Sequence, residues 1–369
     1  MIDSATYDAA EQRAREAVSS WVWQSMLTTS AFDVSGFPKR ISTIHELRGL
    51  VDAMDHRRFH LFMRELNGLA PDEQQHLLRV LATFCRFSAE TFHDDTVILP
   101  LNTIMASFLS YLKLSGLPKQ ATILEIGAGT GYLPFFTESD TRFQRRIQVE
   151  VTQSLYILQS RVNAYLFRDS FHDAAMAPPP AAKVGALVER MRSRGRLHEQ
   201  PMTLQVPRQS RTVQYPWWLV DQAFDRTWRY DVVVSNGNIA EMTFGAFDYY
   251  FENLRHCLQP DGVILIDDLG APGDTGYPPR LRRFLEIGFR PLVYVLPTFE
   301  FKPFTRVNLL LVAEEHPHWN DAATDFSKQH FPSDLPITRA VYGLDRPRGA
   351  LLTREELVEC FLAFNARAA

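Results

Sequence analysis

Cysteine is scarce: the 369 residues hold only Cys85, Cys257 and Cys360, with no CxxC spacing. That argues against a disulfide framework and fits buried free thiols in a reducing compartment. Long apolar runs are lacking too, and the opening Met-Ile-Asp-Ser-Ala-Thr-Tyr-Asp has no basic segment leading into an apolar one. A soluble, cytoplasmic chain with no membrane partner is expected. No charge dominates either: 39 Lys and Arg stand against 43 Asp and Glu, a net −4 with no basic run. A large nucleic-acid footprint is therefore not expected, and a small-molecule substrate is.

A hydrophobic fraction of 46% marks an ordinary globular protein, long enough for one large domain with additions or for two domains. Residues 6–89 carry apolar stripes at helical spacing: Ala14, Val18, Trp21, Val22 and Met26; Leu47, Leu50, Val51 and Met54; Leu77, Leu78, Val80 and Leu81. Pro71 followed by Asp72 and Glu73 is a helix start. A further amphipathic segment spans 102–114. Strand candidates then alternate with helix candidates: strands at 123–126, 147–151, 212–215, 230–235 and 262–267, and helices at 155–167, 183–194, 247–258 and 279–287. Pro178-Pro179-Pro180 marks a loop. The pattern predicts a mainly parallel, helix-covered sheet. The last two strand candidates, 291–296 and 307–313, are joined by about ten residues containing Pro297 and Pro303, too short for a crossover helix. They should pair antiparallel. Thr353 and Glu356 are placed as a capping box for a terminal helix.

The chemistry concentrates at Ala121 to Phe136, where Ile-Leu-Glu-Ile runs into Gly127, Gly129 and Gly131. Alternating glycines let backbone approach a ligand with no side chain between. The spacing is GxGxG, not the GxGxxG of a dinucleotide site, and no GxxxxGK phosphate loop is present. Glu150, nineteen residues after Gly131 at the end of the next strand, suits a carboxylate accepting hydrogen bonds from a ribose diol.

These residues resemble the first motif of class I S-adenosylmethionine-dependent methyltransferases, which looks like Leu124-Glu125-Ile126-Gly127-Ala128-Gly129-Thr130-Gly131. The resemblance spans about Pro100 to Ala313. It implies a Rossmann-like α/β sheet, mainly parallel with an antiparallel last strand pair; the N-terminal helical region and the C-terminal helical tail lie outside it and are read from the residue pattern. It implies that S-adenosyl-L-methionine is the cofactor, that the backbone of Gly127, Ala128, Gly129 and Gly131 approaches its methionine part, that Glu125 supports the loop and that Glu150 holds the ribose. The expected organisation is residues 1–115 as a helical lid and acceptor pocket, 116–315 as the cofactor-binding domain with an insertion at about 170–205, and 316–369 as an extension.

A narrower resemblance is to a group of sugar O-methyltransferases, in Glu150-Val151-Thr152-Gln153-Ser154-Leu155 and in Asn236 to Met242 followed by Tyr249-Tyr250-Phe251. Thr152 stands where that group has Pro, and is counted with the cofactor contacts. Asn236 ends a strand and should touch the cofactor or orient an acceptor; the alternative is a turn residue before Gly237. Glu241 is the carboxylate best placed to deprotonate an acceptor hydroxyl, or else a helix N-terminal charge. Pro216 and Trp217, with Trp218, either wall the adenine or form a core pair. Trp21, Trp23, Phe87, Phe92 and Tyr111 line the acceptor pocket or are plain core. Asp267-Asp268 invites a metal, but no His lies near, and His56 with His60 reads as a solvated helix face beside Arg57 and Arg58. No metal is assigned. The expected activity is O-methylation of a small hydroxylated metabolite, a sugar or secondary-metabolite intermediate, by in-line transfer with S-adenosylhomocysteine as product. Two alternatives stand beside it: an enzyme of the same fold that cyclises S-adenosylmethionine and releases methylthioadenosine, as azetidine-2-carboxylate synthases do, and a catalytically silent partner protein. The composition is compatible with a homodimer.

Overall fold

The computed structural model describes residues 2–16, 37–54, 58–93, 98–176, 209–225, 227–269, 277–296 and 306–368, besides residues 185, 189 and 206. Trp21, Trp23, His56, the Pro178–Pro180 loop and most of the 183–194 helix candidate lie outside them.

Among the described residues five helices precede the sheet: α1 (Ser4–Arg15), α2 (Ile44–Met54), α3 (Phe59–Glu65), α4 (Pro71–Phe92) and α5 (Leu101–Ser115). α4 begins as its sequence requires. Pro71 sits where no N–H is needed, and the Glu73 carboxylate accepts the Ala70 N–H at 2.9 Å.

The strands are β1 (Thr122–Ile126), β2 (Arg145–Glu150), β3 (Phe171–Asp173), β4 (Thr212–Pro216), β5 (Tyr230–Asn236), β6 (Leu258–Leu269), β7 (Phe289–Val295) and β8 (Arg306–Ala313). They form one sheet in the order β3-β4-β2-β1-β5-β6-β8-β7, in which only the β6/β8 and β8/β7 pairs are antiparallel. This is the mainly parallel, Rossmann-like sheet with an antiparallel last pair that the pattern predicts, flanked by helices at both ends of the chain. Two elements were hidden in the sequence. β3 is a three-residue edge strand inside the expected insertion, and residues 336–341 form a helix within the Pro-rich tail. Both are too short for a periodic signal.

The remaining helices are α6 (Pro134–Thr137), α7 (Gln153–Phe167), α8 (Phe244–Cys257), α9 (Tyr277–Ile287), α10 (Pro336–Val341) and α11 (Arg354–Ala368). The Thr353–Glu356 capping box forms in both directions, at 2.7 and 3.1 Å.

One face of the sheet is apolar, with Leu124, Ile126, Ile147, Val149, Val213 and Tyr215 in a core that also takes in Tyr7, Ala10 and Ala14 of α1. The opposite face is apolar on the β5 to β8 side but polar on the other. There register places Glu125, Gln148, Gln214 and Asp173 side by side across β1, β2, β4 and β3. α7 roofs this row: Asn163 Nδ2 donates to Gln148 at 2.6 Å and Gln214 at 3.1 Å, and Tyr156 and Ser160 each donate to Asp173 at 2.6 Å. Buried polar groups are tolerated when they pair in this way.

A candidate cofactor site at the carboxyl ends of β1, β2 and β5

The chain runs from β1 outward through β2 to β4, then returns to place β5 on the other side of β1. Ligands of open α/β sheets bind beyond the strand ends at such a reversal. Gly127 to Gly129, Asn236 to Asn238 and Asp267 are partly exposed there, although 123–126, 232–235 and 262–266 before them are buried.

Gly127, Gly129 and Gly131 take φ of 61°, 57° and 69°, the left-handed region that disfavours other residues. Two of them also lack room. A Cβ on Gly127 would lie 2.0 Å from Asn238 Nδ2, and one on Gly131 would lie 2.6 Å from Gln159 Cγ. At Gly129 and at Gly237 nothing lies within 4 Å of that position. The turn is thus closed against the protein at its two ends and open in the middle.

Glu150 ends β2 and is buried at 3% exposure. One carboxylate oxygen accepts the Val151 and Thr152 N–H groups, each at 2.9 Å, where α7 begins, and the other accepts Gln159 Nε2 at 3.0 Å. Both carboxylate oxygens are thus already hydrogen-bonded within the protein, and the Thr152 side chain bonds the group as well. Burial pushes the Glu150 carboxyl above its usual range, against the Thr152, Gln159 and Val151 hydrogen bonds. Thr152 is buried and bonds Glu150 through both its backbone and its side chain; a proline there could donate neither bond. Glu125 lies one row below Gly127, holds Gln148 Nε2 at 2.8 Å, and is also raised by burial, against the charge of Arg146. It supports the strand and does not line the open turn.

On the β5 side, Asn236 Nδ2 donates to Ser110 Oγ of α5 at 3.0 Å, while its Oδ1 is buried without a partner. Such an atom calls for a donor. Asn238 donates to the Ile126 carbonyl and accepts from Ser235, so it locks β5 to the glycine turn. Glu241 closes the short helical turn 239–241 on the same side and is half-buried. Asp267 is committed elsewhere: Arg306 Nε binds it at 2.6 Å and Lys113 Nζ at 3.2 Å, and both cations also bind Glu65. Among the described residues no group of three or more His, Cys, Asp and Glu could hold a metal ion, and no helix is long and apolar enough to cross a membrane.

The aromatic pair divides. Pro216 sits beside Glu150 in register, whereas Trp217 is 1% exposed and donates Nε1 to Glu11 of α1 at 2.9 Å. Trp218 is equally buried, with the Tyr7 ring 5.0 Å away at an edge-on angle. Phe87 belongs to the helical core, and Tyr111 donates to Asp140 at 3.2 Å. The residues that sequence reasoning missed are Gln159, Asn238 and Tyr7. Gln159 reaches the site from the covering helix α7 and Asn238 from within the Asn236 to Met242 segment, while Tyr7 packs behind it on Tyr156 and Trp218.

The residues present fit S-adenosylmethionine. An open backbone turn of positive φ, a buried carboxylate at a strand end, and an unpartnered Asn oxygen lie at one edge of the sheet.

No known protein family and no curated protein matches the sequence. Solved structures do resemble the chain loosely. A TehB-like S-adenosylmethionine-dependent methyltransferase from Corynebacterium glutamicum is 11% identical, with a TM-score of 0.33 over 55% of this chain and 87% of that one. A spermidine synthase is 14% identical, with a TM-score of 0.35 over 64% and 74%. A geranyl diphosphate methyltransferase is 10% identical, with a TM-score of 0.35 over 57% and 79%. Likeness at this level decides nothing about activity.

Proposed function

We propose that this chain is an S-adenosylmethionine-dependent methyltransferase that methylates a hydroxyl of a small metabolite, a sugar or secondary-metabolite intermediate. The observation that carries the reading is the pairing of the open glycine turn with the Glu150 carboxylate, both held by Gln159 at the reversal point of the sheet. The bound cofactor would supply a methyl group already activated by its sulfonium. The protein's task is then positioning, exclusion of water and removal of one proton. The turn backbone from Gly127 to Gly131 takes the methionine part, Glu150 takes a ribose hydroxyl, and Asn236 Oδ1 accepts from a donor on the cofactor or the acceptor. Glu241 receives the proton of the acceptor hydroxyl as its oxygen gains the methyl group.

Two measurements test this. Calorimetry should detect S-adenosylmethionine binding to the wild type and its loss in Glu150→Ala. Incubation with methyl-labelled S-adenosylmethionine and a metabolite extract should put label on a new compound, and Glu241→Gln should form the same labelled compound at a rate lower by about 10²-fold or more. Label appearing only in methylthioadenosine, with no acceptor present, would overturn transfer in favour of cyclisation.

A further inference from the structure

Gln159 is fully buried on α7, and its side-chain amide spans the two halves of the cofactor site. Nε2 donates to the Gly129 carbonyl at 2.6 Å and to Glu150 at 3.0 Å. Its aliphatic part fills the space that a Cβ on Gly131 would need. On the other side, Oε1 lies 3.5 Å from Gln214 Nε2, which itself donates to the Tyr156 carbonyl at 2.9 Å. Gln214 accepts from Asn163, Asn163 donates also to Gln148, and Gln148 donates to Glu125. The amide orientation of Gln159 is therefore fixed from behind: an exchange of its oxygen and nitrogen would set oxygen against both the Gly129 carbonyl and the Glu150 carboxylate.

We infer that Gln159 is a positioning residue that aims the Glu150 carboxylate at the ribose and sets the Gly129 segment of the turn, so that nucleoside and methionine ends of the cofactor are registered to each other. The inference rests on the proposed cofactor. Gln159 touches neither end itself. One donor serves both anchors, so its loss loosens two contacts together. It also leaves Glu150 held only by Val151 and Thr152, both at one end of the carboxylate's strand.

The test compares wild type, Gln159→Met and Gln159→Glu, both close in volume, Met lacking the donor at any pH and Glu lacking it in the ionised form. Binding of S-adenosylhomocysteine, of methylthioadenosine and of 2′,3′-dideoxy methylthioadenosine is measured by calorimetry, with a thermal melt on every variant. Loss of a donor to a charged group should weaken S-adenosylhomocysteine by about 10- to 100-fold. The preference of the wild type for the ribose over the dideoxy ligand should shrink toward unity. In Glu150→Gln the added cost of Gln159→Met should fall to less than half, because the two changes act on one contact. A merely structural role would weaken the ribose and dideoxy ligands equally, and that result would overturn the inference. So would wild-type affinity in either folded variant. If Gln159→Met does not melt cooperatively, Gln159→Glu decides. No binding of S-adenosylhomocysteine to the wild type would instead overturn the proposed cofactor, and the inference with it.

Discussion

At the scale of single residues, the three glycines of the turn are not equivalent, and their alanine variants should separate. Gly131→Ala has to move Gln159 and adopt a left-handed backbone, so a stability loss of about 1–3 kcal/mol is expected in urea denaturation. Gly129→Ala meets no atom within 4 Å and bears only the backbone cost, about 1–2 kcal/mol. Its methyl group, however, enters the open middle of the turn. We expect cofactor affinity to fall more in Gly129→Ala than stability does, with calorimetry and denaturation read on the same preparation. A Gly129→Ala variant that binds normally would place the ligand elsewhere. Glu150 and the glycines were legible in the sequence because their spacing is local. Gln159 was not: a Gln in a helix reads as a solvent-facing residue until the strand row beneath it is known.

At the scale of elements, what could not be read was the polar face of the sheet. Arg146, Gln148 and Glu150 alternate with Ile147 and Val149, and Thr212 and Gln214 alternate with Val213 and Tyr215. Period-two alternation of this kind ordinarily marks a strand with one wet face. Here α7 covers that face, and the pairing partners come from positions 9 to 58 residues apart, beyond any local pattern. The second element-scale feature is the buried ion cluster that ties α3 and α5 to β6 and β8. Arg306 is 3% exposed in its side chain, and Lys113 is 5% exposed. Arg306→Ala leaves Glu65 and Asp267 poorly compensated, and a loss of about 3–5 kcal/mol is expected. Burial alone would raise the Asp267 carboxyl, but Arg306 and Lys113 outweigh it and hold the group below the ordinary carboxylate range. Its folded value lies below its unfolded one, so the stabilisation is complete above about pH 4 and is withdrawn as the pH falls further. The urea midpoint should therefore drop between about pH 4 and pH 2.5, and Asp267→Asn should drop less steeply over that interval.

At the scale of the whole molecule, the helical head is not a detachable cap. Tyr7, Ala10 and Ala14 share one apolar core with the central strands. Arg40 bridges Asp8 and Glu11, and Gln153 at the start of α7 bonds both Ile41 backbone groups, at 2.9 and 3.0 Å. Removing residues 1–42 should expose Trp217 and Trp218, shift tryptophan emission to longer wavelength and lower the melting temperature by several degrees or more. A truncated chain that melts like the wild type would show the head to be independent. The alternation of strands and helices, the antiparallel end of the sheet and both helix caps were visible in the sequence, since each depends on neighbours a few residues apart. The closure of the head onto the sheet was not, because its contacts join residues more than a hundred positions apart.

The tail closes the same circle. Arg346 holds Glu73 through two bonds of 2.5 Å and the carbonyls of Leu66 and Gly68 at 2.5 and 2.9 Å, beside a bridge between Leu69 and Ala350. These contacts span 273 to 280 residues. During synthesis at about 5–20 residues per second, the loop before α4 leaves the ribosome roughly 14–56 s before the arginine that secures it. Most of the apolar neighbours of α3 and α4 come from residues 101–166, but Leu357 and Phe361 of α11 complete the same core, so the first helices are finished only when the last one arrives.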